Sequence, residues 1–294
     1  MKQHRRTLIL FIFVLATLGC RPLTTTAETT AVQQNVSLQV AMIPSQDSAE
    51  HAKRVEALSH YLESELNVPV EIEIADSYET AVSFLVNGNV NMAYLGPFAY
   101  VKARAQNQRL EPVAAPIEKE TGRPWYTSVI VVRNDSGINS IEDLQGKRFS
   151  FVSQSSNSGF LAPSAYLISM GTTPDRDFAS VAYAGSHNKN IEALLSGDAD
   201  AISINSPTFF KAQNTGQLPT DTYKMLWESE PLPNAPIVIN SELPDALKIE
   251  LRKALIGAPE GLVDGRGVES AGYTLVQDSD YDPIRNLQEI LALE

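Results

Sequence analysis

VSLQVAMIPSQDSAEHAKRVEALSHYLESELNVPVEIEIA, residues 36–75, reads as a strand, a helix and a second strand in one continuous run. Val36, Leu38, Val40 and Met42 alternate with polar or small residues up to Pro44, the period of a strand. Asp47-Ser48-Ala49-Glu50 has capping-box spacing, and Val55, Leu58, Leu62 and Leu66 then recur at helical intervals. Val70, Ile72 and Ile74 alternate again before Ala75. Strand, helix, strand with short connections marks an α/β layer, in which the helix covers one face of the sheet.

The same grammar runs outward from this unit. Helices are expected over 77–87 (stopped by Gly88), 98–105, 140–144, 158–170 (stopped by Gly171), 188–196 (stopped by Gly197), 244–256 and 281–293. Strands are expected over 90–95, 126–133, 147–152, 178–183, 201–204, 223–227 and 236–239. An internal echo links two of the helices. Ser77-Tyr78 lies eleven residues before Gly88 and Ser186-His187 eleven before Gly197, with Ala81 and Leu85 matched by Asn190 and Leu194. The echo reads as two similar lobes, each offering a helix start with a polar aromatic just inside it.

The 294 residues suffice for two lobes, and 43% apolar with 20% charged residues is the composition of a folded chain. Residues 1–20 stand apart. Lys2, Arg5 and Arg6 precede an apolar run over 8–18 and then Gly19-Cys20, the pattern of a secretory signal peptide. Cys20 is the sole cysteine, so no intrachain disulfide exists. Thr17-Leu18-Gly19-Cys20 resembles a lipobox with Thr in place of the usual Leu, which makes Cys20 a lipidation candidate; cleavage near Ala27 or Ala31 is the alternative. Residues 21–35 read as a flexible tether. The net charge is −12, and removing the leader leaves −15 (−12 less the cations Lys2, Arg5 and Arg6). So acidic a chain is a poor partner for nucleic acid. An anionic ligand would have to be held by local dipoles and donors.

Val152-Ser153-Gln154-Ser155-Ser156-Asn157-Ser158-Gly159-Phe160 follows a strand and opens a helix. Unpaired N–H groups at a helix start, with roughly half a positive charge, bind anions without Lys or Arg. Four serines and an Asn add donors. The plainer reading is a Ser-rich turn with Ser155 or Ser156 as the N-cap.

Several stretches in order, from about Val36 to Glu294, resemble the phosphate/phosphite/phosphonate-binding proteins of ABC transporters. They include residues 41–45 (AMIPS), 93–97 (AYLGP), 128–132 (SVIVV), 143–147 (DLQGK), 158–161 (SGFL), 184–187 (AGSH) and 197–201 (GDADA). The resemblance implies a type II periplasmic-binding fold. Two α/β lobes, 36–125 plus 236–294 and 126–235, would be joined by a two-stranded hinge crossed near Pro124-Trp125 and Asn234-Ala235. It implies export to the periplasm or the outer membrane face, a monomer, and partnership with a permease and its ATPase, with no cofactor or metal. A Ser-Thr-Ser motif, a His and a Tyr from the facing lobe hold the phosphorus oxygens in the family. These carry over to Ser156, Asn157 and Ser158, to His187, and to Tyr78. Asn157 departs from the usual Thr; its amide still donates but reaches further. Tyr126, beside the expected crossing, and Tyr94, just before Gly96-Pro97, are further candidates; for Tyr94 both a cleft wall and plain burial stay open.

Relatives that take aminoalkylphosphonates carry carboxylates in regions corresponding to residues 205–207 and 233–236, and neither segment here contains Asp or Glu. A buried ammonium without a carboxylate is costly, which favours phosphite or methylphosphonate, with phosphate next. Two other classes stay in view. One is a ligand sensor that docks to a receptor. The other is a phosphatase or esterase using Ser156 or Ser158 with His187 and Asp200. The chain has no G-x-S-x-G, P-loop or H-E-x-x-H motif.

Overall fold

The computed structural model describes residues 36–44, 49–262 and 270–292. The leader, the tether, Cys20, Ser45 and the Asp47-Ser48 half of the capping box lie outside the described residues.

Two mixed sheets carry the fold. The first orders its six strands Ser270–Leu275, Leu110–Glu118, Ile237–Asn240, Met92–Tyr94, Leu38–Met42, Val70–Ile74. Leu38–Met42 pairs in parallel with both neighbours, in register Val40↔Ile72 and Ala41↔Ala93. The second orders five strands Tyr223–Glu228, Ser128–Arg133, Ala201–Asn205, Arg148–Phe151, Ser180–Tyr183. Here Arg148–Phe151 is the parallel centre, in register Phe149↔Ala201 and Phe149↔Val181. In each sheet a strand from a distant part of the chain adds antiparallel to the third parallel strand: Ile237–Asn240 in the first, Ser128–Arg133 in the second. The two sheets therefore share one topology. A short antiparallel ribbon, Trp125–Tyr126 with Leu232–Pro233, carries the chain out of the first sheet and back.

The opening strand is covered on both faces. Leu38, Val40 and Met42 pack with Leu58, Leu62 and Leu66 of the Ala49–Leu66 helix and with Leu251 and Leu255 of the Asp245–Ile256 helix. Ala41 and Ile43 pack on the other side with Ala81, Leu85 and Phe98. Period two along the strand delivers alternate residues to these two layers, and period 3.6 sets the helix stripe. Burying a leucine such as Leu58, fully enclosed, contributes about 1.5–3 kcal/mol.

Three elements of six or more residues lie outside the sequence expectations. Leu110–Glu118 is an interior strand although it contains Pro112 and Pro116. Its register slips on both sides, and such irregularity accommodates a residue that has no N–H to give the ladder. Ser206–Asn214 is a helix capped by Asn205, and Ser270–Leu275 closes the first sheet. No helix among the described residues is long and apolar enough to cross a membrane.

Candidate functional site

In both sheets the loops that follow the three parallel strands point toward one cavity. From the first sheet come Ile43 after Leu38–Met42, Tyr78 after Val70–Ile74, and Gly96 and Pro97 after Met92–Tyr94. From the second come Ser156, Asn157 and Ser158 after Arg148–Phe151, His187 after Ser180–Tyr183, and Asn205 at the end of Ala201–Asn205. Tyr126 and Ala235, at the ribbon, complete the wall. A crevice beyond the carboxyl ends of parallel strands is where α/β sheets bind ligands.

Five helices begin at this wall: Tyr78–Val86, Pro97–Gln106, the turn from Asn157, His187–Ser196 and Ser206–Asn214. Each brings first-turn N–H groups and the positive end of its dipole, worth about 0.3–1 kcal/mol per exposed anion contact and more when partly buried. The described wall residues include no Lys, Arg, Asp or Glu. Open volume for the centre of a water-sized sphere is about 20 Å³. One water needs about 10–15 Å³ by that measure, so the cavity as described has room for little more than one water-sized group.

The helix echo is a structural equivalence. Ser77 Oγ accepts the Thr80 N–H at 3.0 Å and Ser186 Oγ accepts the Lys189 N–H at 3.2 Å. The caps share φ/ψ of −149°/166° and −148°/163°, so Tyr78 and His187 occupy the same first helical position in the two halves. The Oγ–N–H caps satisfy one orphan donor apiece.

The serine loop is built to expose amides. Ser156 Oγ accepts the Gly159 N–H at 3.0 Å, and the Leu161 N–H skips to Ser156 O at 3.0 Å, five residues back. This wide turn leaves one more N–H outside the ladder than an α-turn would. The loop is pinned from behind. Ser128 Oγ donates to Ser158 O at 2.6 Å, Ser203 Oγ donates to Gly159 O at 2.9 Å, and the Val152 N–H donates to Gly159 O at 3.0 Å. Gly159 is there for space: a Cβ would meet Val152 Cγ2 at 2.4 Å and Ser156 Oγ at 2.8 Å.

Side-chain roles follow from their partners. His187 Nδ1 accepts the Asn205 N–H at 3.3 Å, which puts the hydrogen of the neutral ring on Nε2. Asn205 Oδ1 accepts the Thr208 N–H at 2.7 Å, and the amide nitrogen of this wall residue is buried and without a partner. Asn157 Nδ2 donates to Tyr126 Oη at 3.1 Å, while Asn157 Oδ1 is buried and unpaired. A buried polar atom left unpaired costs about 1–3 kcal/mol unless another group comes to satisfy it.

At the rim, Ser153 Oγ and Ser155 Oγ both donate to Glu79 Oε1, at 2.8 and 2.9 Å, and Lys102 Nζ donates to Ser155 Oγ at 2.9 Å. These bonds tie the Tyr78 and Pro97 helices to the serine loop. Burial alone would raise the Glu79 carboxyl; Ser153, its own backbone amide, Ser155 and Lys102 outweigh it and hold it below the usual carboxylate range.

Tyr78, Tyr126, Ser156, Asn157, Ser158 and His187 are thus brought to one wall. Tyr94 is not. It lies on the far side of its strand from Ala93 and Leu95, packed among Met42, Leu58 and Ile239, the consequence of period two. Asp200 does not reach the site either. It pairs with Arg148 at 2.6 Å, a bond that lowers its carboxyl pKa. With Nδ1 of His187 already accepting an N–H, the nucleophile set suggested by Ser156 or Ser158, His187 and Asp200 does not assemble. Among the described residues no group of three or more His, Cys, Asp or Glu is placed to hold a metal. Sequence reasoning missed Asn205, whose position at a strand end before Ser-Pro is an N-cap signal. It also missed Glu118, which comes from the Leu110–Glu118 strand to accept Asn234 Nδ2 at 2.6 Å.

The chain resembles proteins of known role along most of its length. It is 29% identical over 295 residues to the phosphate-import protein PhnD of Mycolicibacterium smegmatis, covering 93% of this chain and 90% of that one. It is 29% identical over 193 residues to the phosphonates-binding periplasmic protein of Escherichia coli, covering 64% and 56%. The structure of PhnD1 from Prochlorococcus marinus in complex with methylphosphonate superposes with a TM-score of 0.77 at 21% identity, covering 88% of this chain and 99% of that one. The fold is therefore that of type II periplasmic-binding proteins, two α/β lobes on a two-stranded hinge. The sequence profile for the periplasmic phosphonate substrate-binding proteins of ABC transporters matches residues 40–281, and the chain belongs to that family.

Proposed function

We propose that this protein captures a small, amine-free phosphorus oxyanion, phosphite or methylphosphonate ahead of phosphate, and delivers it to a permease and its ATPase. One observation carries the reading: a compact cavity walled by five helix starts and neutral donors, in a chain of net charge −12. Donors of that kind attract an anion where the protein as a whole repels it. The similarity to a protein solved with methylphosphonate and to a phosphate importer supports the ligand class.

In this reading the segments 36–125 plus 236–294 and 126–235 act as two lobes that close over the ligand by a hinge motion. The Glu79–Ser153–Ser155–Lys102 bonds latch the closed form. The ligand is released unchanged; no step of chemistry is assigned to the wall. Cys20 is the proposed lipid anchor, tested by acyl labelling of the exported protein and its loss in Cys20→Ser.

A second reading, an aminoalkylphosphonate ligand, draws on Glu118 and Glu228, which line a neighbouring depression that shares Tyr126 with the cavity. Both carboxylates are engaged, Glu118 by Asn234 Nδ2 and Glu228 by Thr127 Oγ1 at 2.7 Å, so the amine-free ligand is preferred. Calorimetry with phosphite, methylphosphonate, phosphate and 2-aminoethylphosphonate tests both readings. Tightest binding by the amine would reverse the preference; no binding by any of the four would end the proposal. Incubation with a chromogenic phosphate ester should give no turnover.

A further inference from the structure

Among the described side chains of the cavity wall, donors face one unpaired buried carbonyl oxygen. The Ser156 hydroxyl, whose oxygen already accepts an N–H, has its hydrogen to give, and Nδ2 of Asn205 is unpaired. Asn157 Oδ1 stands against them. The residue is 2% exposed, its Nδ2 is committed to Tyr126 Oη, and its carbonyl oxygen has no partner. A bare anionic oxygen against that lone pair would be repelled, whereas an O–H would satisfy it.

We infer that Asn157 determines specificity for the protonation state of the ligand: its side-chain carbonyl accepts the hydrogen of a P–OH group, so the site takes a singly protonated oxyanion over one bare of hydrogen. This rests on the phosphorus-oxyanion reading above. His187, Tyr78 and Tyr126 are the titratable groups on the same described wall. Thr at position 157 would offer a hydroxyl able to donate as well as accept, which removes the preference.

The test is calorimetry on the intact chain and on Asn157→Thr, with two probes. Methylphosphonate loses its last O–H near neutrality, as phosphate monoesters do at about pH 6, and sulfate is a tetrahedral dianion without a hydrogen. A site built to pair with a ligand hydrogen rejects analogues lacking it strongly, here by at least about a hundredfold against sulfate. Methylphosphonate affinity should also fall by about tenfold per pH unit above its second ionisation, the rate at which the protonated species disappears. Asn157→Thr should shrink both ratios. Residue 157 is the sole difference between the two proteins, so the change in the ratios reports that side chain. Three results overturn the inference: sulfate bound within about tenfold of methylphosphonate, affinity that climbs with pH as a donor-only wall requires, or ratios unchanged in Asn157→Thr. If that variant binds nothing, the native chain's two ratios decide. A native chain that binds neither methylphosphonate, phosphite nor phosphate at any pH refutes the underlying ligand assignment, and the inference with it.

Discussion

Replacing Ser156 with alanine separates two jobs that one oxygen performs. The backbone bonds of the turn survive the change, because the Ser156 N–H donates to Ser153 O at 2.9 Å and its carbonyl accepts from Leu161 regardless of side chain. What disappears is the acceptor for the Gly159 N–H at 3.0 Å and the hydroxyl hydrogen offered to the cavity. Loss of an N-cap costs about 1 kcal/mol, which in a protein of this size lowers the ligand-free melting temperature by about 2–4 °C. Loss of a hydrogen bond to a charged ligand costs about 1.5–3 kcal/mol, which raises Kd roughly 10- to 150-fold at 1.4 kcal/mol per decade. Scanning fluorimetry without ligand reads the first effect and calorimetry with methylphosphonate or phosphite reads the second. A melting point that falls while Kd stays within about twofold of the native value would refute the reasoning. Ser156 would then be a cap and nothing more.

Other perturbations probe the rest of the wall. His187→Ala should weaken binding by about tenfold or more with a modest change in melting temperature; a collapse of the fold would make the residue a core element. Gly159→Ala forces a methyl within 2.4 Å of Val152 Cγ2, an overpacking cost of about 1–3 kcal/mol. It should lower both melting temperature and affinity, and an unaltered pair of values would contradict the close approach. Glu79→Gln keeps the shape of the latch and removes its charge, so the ligand off-rate in stopped flow should rise roughly three- to tenfold. The Glu79 carboxyl is held below its ordinary value of 4.5. Its contribution is therefore complete above that value and is lost as pH falls through the lower one. The native off-rate should rise in acid while that of Glu79→Gln stays flat across the same window.

Much of the fold is legible in local patterns, and what is not has identifiable causes. Val55, Leu58, Leu62 and Leu66 announce their helix because one side of it faces the sheet over its whole length. The Ser77 and Ser186 echo is visible because cap, aromatic and terminal glycine all answer to backbone geometry. Leu110–Glu118 hides because Pro112 and Pro116 argue against a strand that tertiary pairing nonetheless imposes. Ser206–Asn214 hides because Ser206-Pro207 reads as a turn, although Pro in a first helical turn costs nothing. Among site residues, those on helix starts could be picked out by type and position. Tyr94 has the right type, but strand parity turns it to the opposite layer. The Glu79 latch and the approach of Glu118 to Asn234 join residues 74–76 and 116 positions apart, and no local pattern reports such pairings.

The central claim is that backbone amides at helix starts, aided by neutral side chains, hold the anion. Amide chemical shifts of the isotope-labelled protein, followed while methylphosphonate is added, test it at each residue. The largest changes should fall on the amides of Asn157, Ser158, Tyr78 and His187, moving downfield as hydrogen bonds to the oxyanion form. Saturable binding with those four amides unmoved, and the largest changes instead around surface lysines or arginines, would contradict it.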